Sequence, residues 1–200
     1  MTSPIEFRSP DAGFDAPVDM WLACHERVKR FAALIIRLEA HVARVGADEE
    51  AQRSAASIRR YFNEAAPRHH EDEEVDLFPL LRERSGSAEQ SALDALDRIE
   101  AEHLAMAEVW RRIDVTLARI SAGDPAPLEP DLIASFASGY DRHIEVEENV
   151  VLPALRRRLS AADWSTVGRS MAERRGLEWS DEPATEGTLP SDQQGRGPDG

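Results

Sequence analysis

A chain of 200 residues, 42% of them apolar, is long enough for one well-buried domain and too short to favour two. Its 24 basic and 38 acidic residues give a formal charge of −14, which is the wrong sign for binding a nucleic-acid backbone. No apolar run approaches the roughly 18 residues that a membrane span needs. The sequence therefore predicts neither a nucleic-acid partner nor a membrane partner.

The N-terminal sequence and the cysteine content predict the compartment. The first 17 residues, MTSPIEFRSPDAGFDAP, contain neither a basic start nor an apolar stretch, which indicates that no export signal is present. Cys24 is the single cysteine, so the chain cannot form an internal disulfide, which fits a reducing compartment. We therefore expect a cytoplasmic protein, and the sequence leaves its oligomeric state open.

Apolar residues recur at steps of three and four through most of residues 17–176, which predicts an all-α domain. The first helix is expected to bury one stripe, which consists of Trp21, Cys24, Val28, Phe31, Ile35, Leu38 and Val42. The second helix is expected to kink or restart at Pro67 and to end near residues 85–87. Its apolar positions are Ile58, Phe62 and Ala66.

The third helix is expected to begin with Ser87 as its N-cap and Gln90 three residues later. Its seam is the 3-4 repeat of Leu96, Ile99, His103, Met106, Trp110, Ile113, Leu117 and Ile120. The segment SAGDPAPLEP predicts a loop, and the fourth helix after it presents Ile133, Phe136, Tyr140, His143, Glu147 and Val150. A short fifth helix is expected from Ser160, with Asp163 completing a capping box, to Gly176.

Four long helices with short connections favour an antiparallel, up-down four-helix bundle with a short C-terminal fifth helix. We assign residues 18–175 to this bundle and residues 1–17 to an N-terminal extension. Residues 176–200 contain six acidic residues, one arginine and many Pro, Gly and Ser residues. This acidic tail has too little apolar surface to bury, so it is predicted to be disordered.

A charge-rich segment occurs twice in the chain. Residues 69–81, HHEDEEVDLFPLL, recur without gaps as residues 143–155, HIEVEENVVLPAL, with identity at six positions. The first copy alone fits a solvated helix face equally well. Because the second copy has a single histidine, the shared element is HxxxE, and its members are His69 with Glu73 and His143 with Glu147.

Residues four apart lie one turn apart on the same helix face, so each HxxxE pair can present an imidazole and a carboxylate to one point. In the fourth helix that face is the apolar seam, which contains no lysine or arginine near His143 and Glu147. A carboxylate buried there must be paired, protonated or bound to a cation. A bound metal is the simplest of these explanations.

The first and third helices each add one histidine to their apolar faces, His25 and His103. The 44 residues from His25 to His69 and the 40 from His103 to His143 indicate one helix pair used twice. For His103 taken alone, a hydrogen-bonded core histidine remains the alternative. Taken together, the four helices predict a metal site at the centre of the bundle.

These motifs resemble the hemerythrin family, specifically the bacterial HHE cation-binding domains, whose pattern is H…HxxxE…H…HxxxE on four helices. The resemblance covers about residues 18–158. It implies two iron ions held by Glu73 and Glu147 as bridging carboxylates and by the terminal ligands His25, His69, His103 and His143. Imidazole and carboxylate ligands suit iron, and they also suit zinc and manganese.

The third helix departs from the oxygen-carrying members of that family, which have a second histidine one turn away. Here Ile99 and Ala107 lie four residues either side of His103. Our hypothesis is that His70, about 100° around the helix from His69, binds the second metal instead. The alternative is that His70 is a surface histidine paired with Glu74.

The resemblance implies a non-haem diiron protein that binds or senses O₂, NO or peroxide at an open metal position. One alternative is a diiron redox enzyme that decomposes peroxide, reduces NO or oxidises iron; another is a metal-storage or structural module. Four further acids are expected to be solvated or to orient imidazoles: Glu71, Glu74, Glu145 and Glu148.

Overall fold

The computed structural model describes residues 13–179, and every regular element in that range is helical. The predicted all-α class is therefore confirmed. Most of the predicted N-terminal extension and acidic tail falls in residues 1–12 and 180–200, which lie outside the described residues. Within the described range, no helix is both long enough and apolar enough to cross a membrane.

Eight α-helical segments occur between residues 13 and 179, and we number them in chain order. They are α1 (Pro17–Val45), α2 (Glu49–Arg60), α3 (Ala66–Glu71), α4 (Phe78–Arg84), α5 (Gln90–Ser121), α6 (Pro130–Val146), α7 (Leu152–Arg158) and α8 (Ala161–Arg174). Three π-helical turns link consecutive segments: π1 (Tyr61–Ala65), π2 (Asp72–Leu77) and π3 (Glu147–Val151). The segments from α2 to α4 form one continuous rod, and α6 and α7 form another.

α1, the α2 to α4 rod, α5 and the α6 to α7 rod form a four-helix bundle. α1 packs against α2 and α6, and α5 packs against the same two helices. The connections, residues 46–48, 85–89 and 122–129, are too short to cross the bundle, so consecutive helices run in opposite directions. This is the predicted hemerythrin-like, up-down arrangement.

The bundle has two apolar clusters, one toward each end. One cluster includes Val28, Ala66, Met106 and Ile144, and it extends toward the α1 to α2 connection. The other includes Trp21, Leu77, Ile99 and Val151, and it extends toward α8. On every bundle helix the residues predicted to bind metal lie at or next to the change from one cluster to the other, so they form a layer between the clusters.

Each π turn is followed by a proline at the second position of the next α segment. The prolines are Pro67 after π1, Pro79 after π2 and Pro153 after π3. A proline lacks the N–H that the α-helix would use, and its ring crowds the carbonyl four residues earlier. The wider π turn relieves that crowding, so the rods continue past all three prolines. At Pro67 this agrees with the predicted restart of the second helix, which resumes as α3 at Ala66.

α8, the fifth helix of the sequence prediction, is capped as predicted. Ser160 Oγ accepts a hydrogen bond from the Asp163 backbone N–H at 3.2 Å, and the Asp163 carboxylate accepts one from the Ser160 N–H at 2.9 Å. Gly176, with φ of 71°, follows the helix in the left-handed conformation that glycine tolerates. The predicted extent of α8 is therefore confirmed.

The N-cap predicted for the third long helix, which is α5, is wrong. Ser87 begins a 3₁₀ turn that ends at Glu89, and α5 starts at Gln90 without a side-chain cap. Glu89 is only 6% exposed because its carboxylate pairs with Arg157 at 2.8 Å and with Arg158 at 3.1 Å. These ion pairs bind the start of α5 to α7.

Candidate metal centre

Seven polar side chains form a layer across the middle of the bundle, with at least one from each bundle helix. Six of them are at most 4% exposed: His25, His69, Glu73, His103, His143 and Glu147. The seventh, His70, is half-buried, and its Nε2 atom is fully buried. The structure thus brings together all seven residues that the sequence predicted as metal ligands, whereas His41 lies elsewhere and contacts Asp48.

One side of the layer gathers donor atoms around His25. His25 Nε2 lies 3.2 Å from Glu147 Oε2 and 3.8 Å from Glu73 Oε1. His69 Nε2 lies 3.2 Å from the same Glu73 oxygen. The donor atoms of His25, His69 and Glu73 all lie within 4.8 Å of one another, so these three side chains could hold one cation.

The other side of the layer gathers donor atoms around His103. His103 Nε2 lies 3.0 Å from His143 Nε2 and 3.5 Å from Glu73 Oε2. His143 Nε2 lies 3.2 Å from Glu147 Oε1. Each glutamate therefore turns one oxygen to each side of the layer, which is the arrangement that shared carboxylates require.

His70 lies inside the second group of donors. Its ring stacks on that of His103, with centroids 3.9 Å apart and planes 9° apart. One ligand atom from each of His70, Glu73 and His103 lies within 4.8 Å of the others. Glu74 contacts His103 Nδ1 at 2.6 Å, so the alternative pairing of His70 with Glu74 is wrong. Metal binding by His70 stays a prediction.

Several buried polar atoms of the layer lack a hydrogen-bond partner. They are His25 Nε2, His69 Nδ1, His70 Nε2, Glu73 Oε2 and both carboxylate oxygens of Glu147. His25 Nε2 lies within ion-pair distance of the Glu147 carboxylate, but the two groups are not aligned for a hydrogen bond. Buried polar atoms normally have partners because desolvating them is costly. Imidazole nitrogens and carboxylate oxygens that converge in this way fit divalent first-row metal ions.

The metal-free layer holds protons on two of its imidazoles. Burial lowers the pKa of His25, but Glu147 and Glu73 outweigh burial and raise it to about 10. Burial also lowers the pKa of His143, but the contacts with Glu147 and Glu102 outweigh burial and raise this pKa to about 9. Burial raises the pKa of Glu147 less than its contacts with His143 and His25 lower it, so this carboxylate is ionised. A cation must displace the imidazole protons.

The other three imidazoles are neutral. Burial lowers the pKa of His69 well below its usual value, and the positive charge on His25 adds to this effect. Burial lowers the pKa of His70 to about 4 and, together with nearby imidazoles, that of His103 to about 2. Neutral imidazole is the form that binds metal, so these nitrogens need not lose a proton first.

Outer carboxylates orient three of the imidazoles through Nδ1. The pairs are His25 with Glu148 at 2.9 Å, His103 with Glu74 at 2.6 Å, and His143 with Glu102 at 2.9 Å. Such contacts leave Nε2 directed at the layer. The orienting role is thus confirmed for Glu74 and Glu148, whereas Glu71 contacts Arg174 and Glu145 is exposed.

Two members of the site were missed in the sequence. Glu102 lies on α5 and its partner His143 on α6, so no spacing along one helix could have indicated the pair. Trp21 Nε1 donates to Glu73 Oε1 at 2.5 Å, and the sequence predicted Trp21 only as a core residue. Its position four residues before His25 places both side chains on one face of α1, which is the signal that could have identified it.

A surface cavity of about 210 Å³, partly open to solvent, lies between α5 and α6. Its apolar wall includes Met106, Val109 and Phe136. Glu102 also lines the cavity, and it contacts His143 Nδ1. The cavity therefore lies next to the group of donors formed by His103 and His143.

The family comparison agrees with this geometry. Residues 16–155 match the family described as the hemerythrin HHE cation-binding domain. The chain belongs to this family. The match covers the bundle helices as far as residue 155, within α7, and it includes all seven residues of the layer. Membership of this family and the converging donor groups together indicate a cation-binding protein.

One curated relative is similar over most of its length. An uncharacterized protein of Haemophilus influenzae is 34% identical over 167 residues, which represent 84% of this chain and 94% of the relative. The similarity thus extends well beyond the paired HxxxE motifs.

Proposed function

We propose that this chain is a non-haem diiron protein that binds or senses a small molecule such as O₂, NO or peroxide. The observation that carries the proposal is the number and placement of donors in the layer. Five imidazoles and two carboxylates exceed the roughly six positions of one octahedral ion. Because Glu73 and Glu147 face both groups, two ions that share these carboxylates fit the donors best.

The two proposed positions have different ligands. His25 and His69 would hold one ion, and His70, His103 and His143 would hold the other, with both carboxylates shared. The position with fewer imidazoles keeps more of its coordination sites free for a small molecule. Iron would supply redox-active, Lewis-acidic centres in this site, whereas zinc would supply Lewis acidity without redox chemistry.

The surroundings of the layer favour a small ligand over a large substrate. Trp21, Phe78 and Tyr140 are at most 4% exposed, and their rings lie within 6.5 Å of an imidazole centroid of the layer. These rings exclude bulk water from the donors. The adjacent cavity, of about 210 Å³, has room for a diatomic molecule or peroxide, and it lies beside His103 and His143, the position with more imidazoles.

The proposal is tested by loading the protein with iron(II) without oxygen and recording its absorption spectrum. O₂, NO and hydrogen peroxide are then added to separate samples. We expect at least one to change the spectrum at a stoichiometry near the iron content, with His41→Ala behaving like the wild type. Sustained turnover of peroxide or NO would support the enzyme alternative. An unchanged spectrum, with zinc restoring the same melting temperature as iron, would support a structural module and contradict the proposal.

A further inference from the structure

A second group of buried charges lies next to the layer, between the second rod and α8. Asp72 is 1% exposed, and its carboxylate accepts two hydrogen bonds from Arg175, at 2.6 and 3.0 Å. Arg174 contacts the same carboxylate and donates to Asp76 at 2.8 Å. The charges of both arginines are thus directed at one short stretch of the rod.

That stretch contains a residue of the layer. Asp72 is the first residue of π2, and Glu73 is the second. Consecutive helical residues point about 100° apart, so Asp72 can face α8 while Glu73 faces the bundle interior. Contacts that fix Asp72 therefore also fix the rotation of the helix at Glu73.

The internal repeat shows that these acids are not needed for HxxxE itself. In the second copy of the repeat, Val146 and Val150 stand where the first copy has Asp72 and Asp76. The second copy nevertheless keeps its histidine, glutamate and proline. π3 forms in that copy as π2 does in the first. The acids thus occur only in the copy whose π turn packs against α8 through several residues.

α8 is held against the bundle by contacts besides these ion pairs. Arg175 lies over the ring of Phe14, 5.7 Å from its centroid, and Val167 and Met171 are buried in the same apolar cluster as Trp21 and Leu77. A Cβ atom on Gly168 would come within 2.1 Å of the Phe14 carbonyl oxygen, so only glycine fits there. The close packing of α8 leaves both arginines little freedom to leave Asp72.

We propose that Arg174 and Arg175 are positioning residues for Glu73, and that they act through Asp72 to control how tightly the layer holds metal. The proposal rests on the proposed role of Glu73 as a metal ligand. The π turn itself does not need these ion pairs, because π3 forms without them; what the pairs fix is the rotation of the helix at Asp72. Without the arginines that rotation is free to change, and the Glu73 oxygens move away from the points where His25 and His103 converge.

The test compares metal release from two variants that loosen the same pair of helices at different places. The first is Arg174→Gln with Arg175→Gln. The matched control is Arg84→Gln, which removes the exposed 3.1 Å ion pair between Arg84 and Asp163, near the opposite end of α8. Each protein is loaded with iron(II) without oxygen, and transfer to an excess of chelator is followed at a temperature where circular dichroism shows full helix content.

We expect the arginine double variant to release iron about 10 to 100 times faster than the wild type, the range found when residues that orient metal ligands are replaced. Arg84→Gln should release iron at nearly the wild-type rate. Asp72→Asn should also speed release, and adding it to the double variant should have little further effect because the three residues act as one unit.

Equal release rates for the arginine double variant and Arg84→Gln, with both melting temperatures lowered, would overturn the proposal and leave α8 a purely structural helix. Zinc release is measured on the same proteins. If the wild type takes up zinc and no iron, the diiron proposal fails, and the zinc rates still decide whether the arginines position Glu73. If the wild type takes up neither metal, both proposals fail.

Discussion

At the scale of single residues, His70 distinguishes this chain from the two-histidine pattern of the third helix in oxygen-carrying hemerythrins. The HxxxE repeat contains a histidine only at His69 and His143, so His70 is an addition in the first copy. Its ring stacks on that of His103, which lies on the helix that lacks the second histidine. An imidazole missing from one helix is thus available from another.

Replacing His70 by alanine tests whether this imidazole binds metal. We expect His70→Ala to lower the iron content per chain or to change the absorption spectrum of the iron-loaded protein, because one group loses a donor. Iron content by mass spectrometry and the visible spectrum are the measurements. His41→Ala is the matched control, since His41 is outside the layer. An unchanged site would reduce His70 to a neighbour that orients His103.

Gly139 gives a residue-scale test of the cavity between α5 and α6. A Cβ added at Gly139 meets no atom within 4 Å, and Gly139 lines the cavity, so a leucine there is expected to reduce the open space. If a small molecule reaches the layer through this cavity, Gly139→Leu should slow the association of NO with the iron-loaded protein, measured by stopped flow. Gly139→Ala is the control, because it removes the glycine and leaves the cavity open. Equal association rates in both variants would exclude this route.

At the scale of helices, the sequence predicted the elements that depend on local patterns. The 3-4 spacing of Leu96, Ile99 and His103 predicted a seam that is buried in full. The Ser160 and Asp163 pair predicted a cap that forms. The start of α5 and the π turns depend on contacts between distant segments, such as Glu89 with Arg157, and no local pattern specifies those.

The cap of α8 permits a stability prediction at this scale. Ser160→Ala removes the side chain that accepts the Asp163 N–H, and loss of an N-cap typically costs about 1 kcal/mol. We expect the free energy of unfolding, measured by urea denaturation of the metal-free protein, to fall by about that amount. Ser165→Ala, at an exposed position in the same helix, should change it little. A smaller loss in Ser160→Ala than in the control would contradict the capping role.

At the scale of the whole molecule, the bundle encloses a charged layer between two apolar clusters. The internal repeat and the histidines of α1 and α5 predicted which side chains meet there, because an up-down bundle brings one face of every helix to its centre. The sequence could not show that Glu102 contacts the layer or that α8 contacts Asp72, whereas the position of Trp21 four residues before His25 was a usable signal. The contacts of Glu102 and α8 join residues 41 to 103 positions apart and carry no shared motif.

The protons of the metal-free layer make metal affinity depend on pH. Because the pKa values of His25 and His143 are raised to about 10 and about 9, both imidazoles are charged at neutral pH, and only their neutral forms bind metal. Zinc affinity should therefore rise with pH up to about 9 to 10, with protons released on binding. Calorimetric titration in buffers of different ionisation enthalpy measures that release. Affinity that does not change with pH would mean that the imidazoles are already neutral.

The metal content of the protein purified from iron-replete cells tests the central claim most directly. Mass spectrometry of the intact sample, with protein concentration from amino-acid analysis, gives the number of ions per chain. We predict about two iron ions per chain, because the donors exceed what one octahedral ion can use. One ion per chain, zinc in place of iron, or no metal with a melting temperature unaffected by chelator would contradict the diiron proposal.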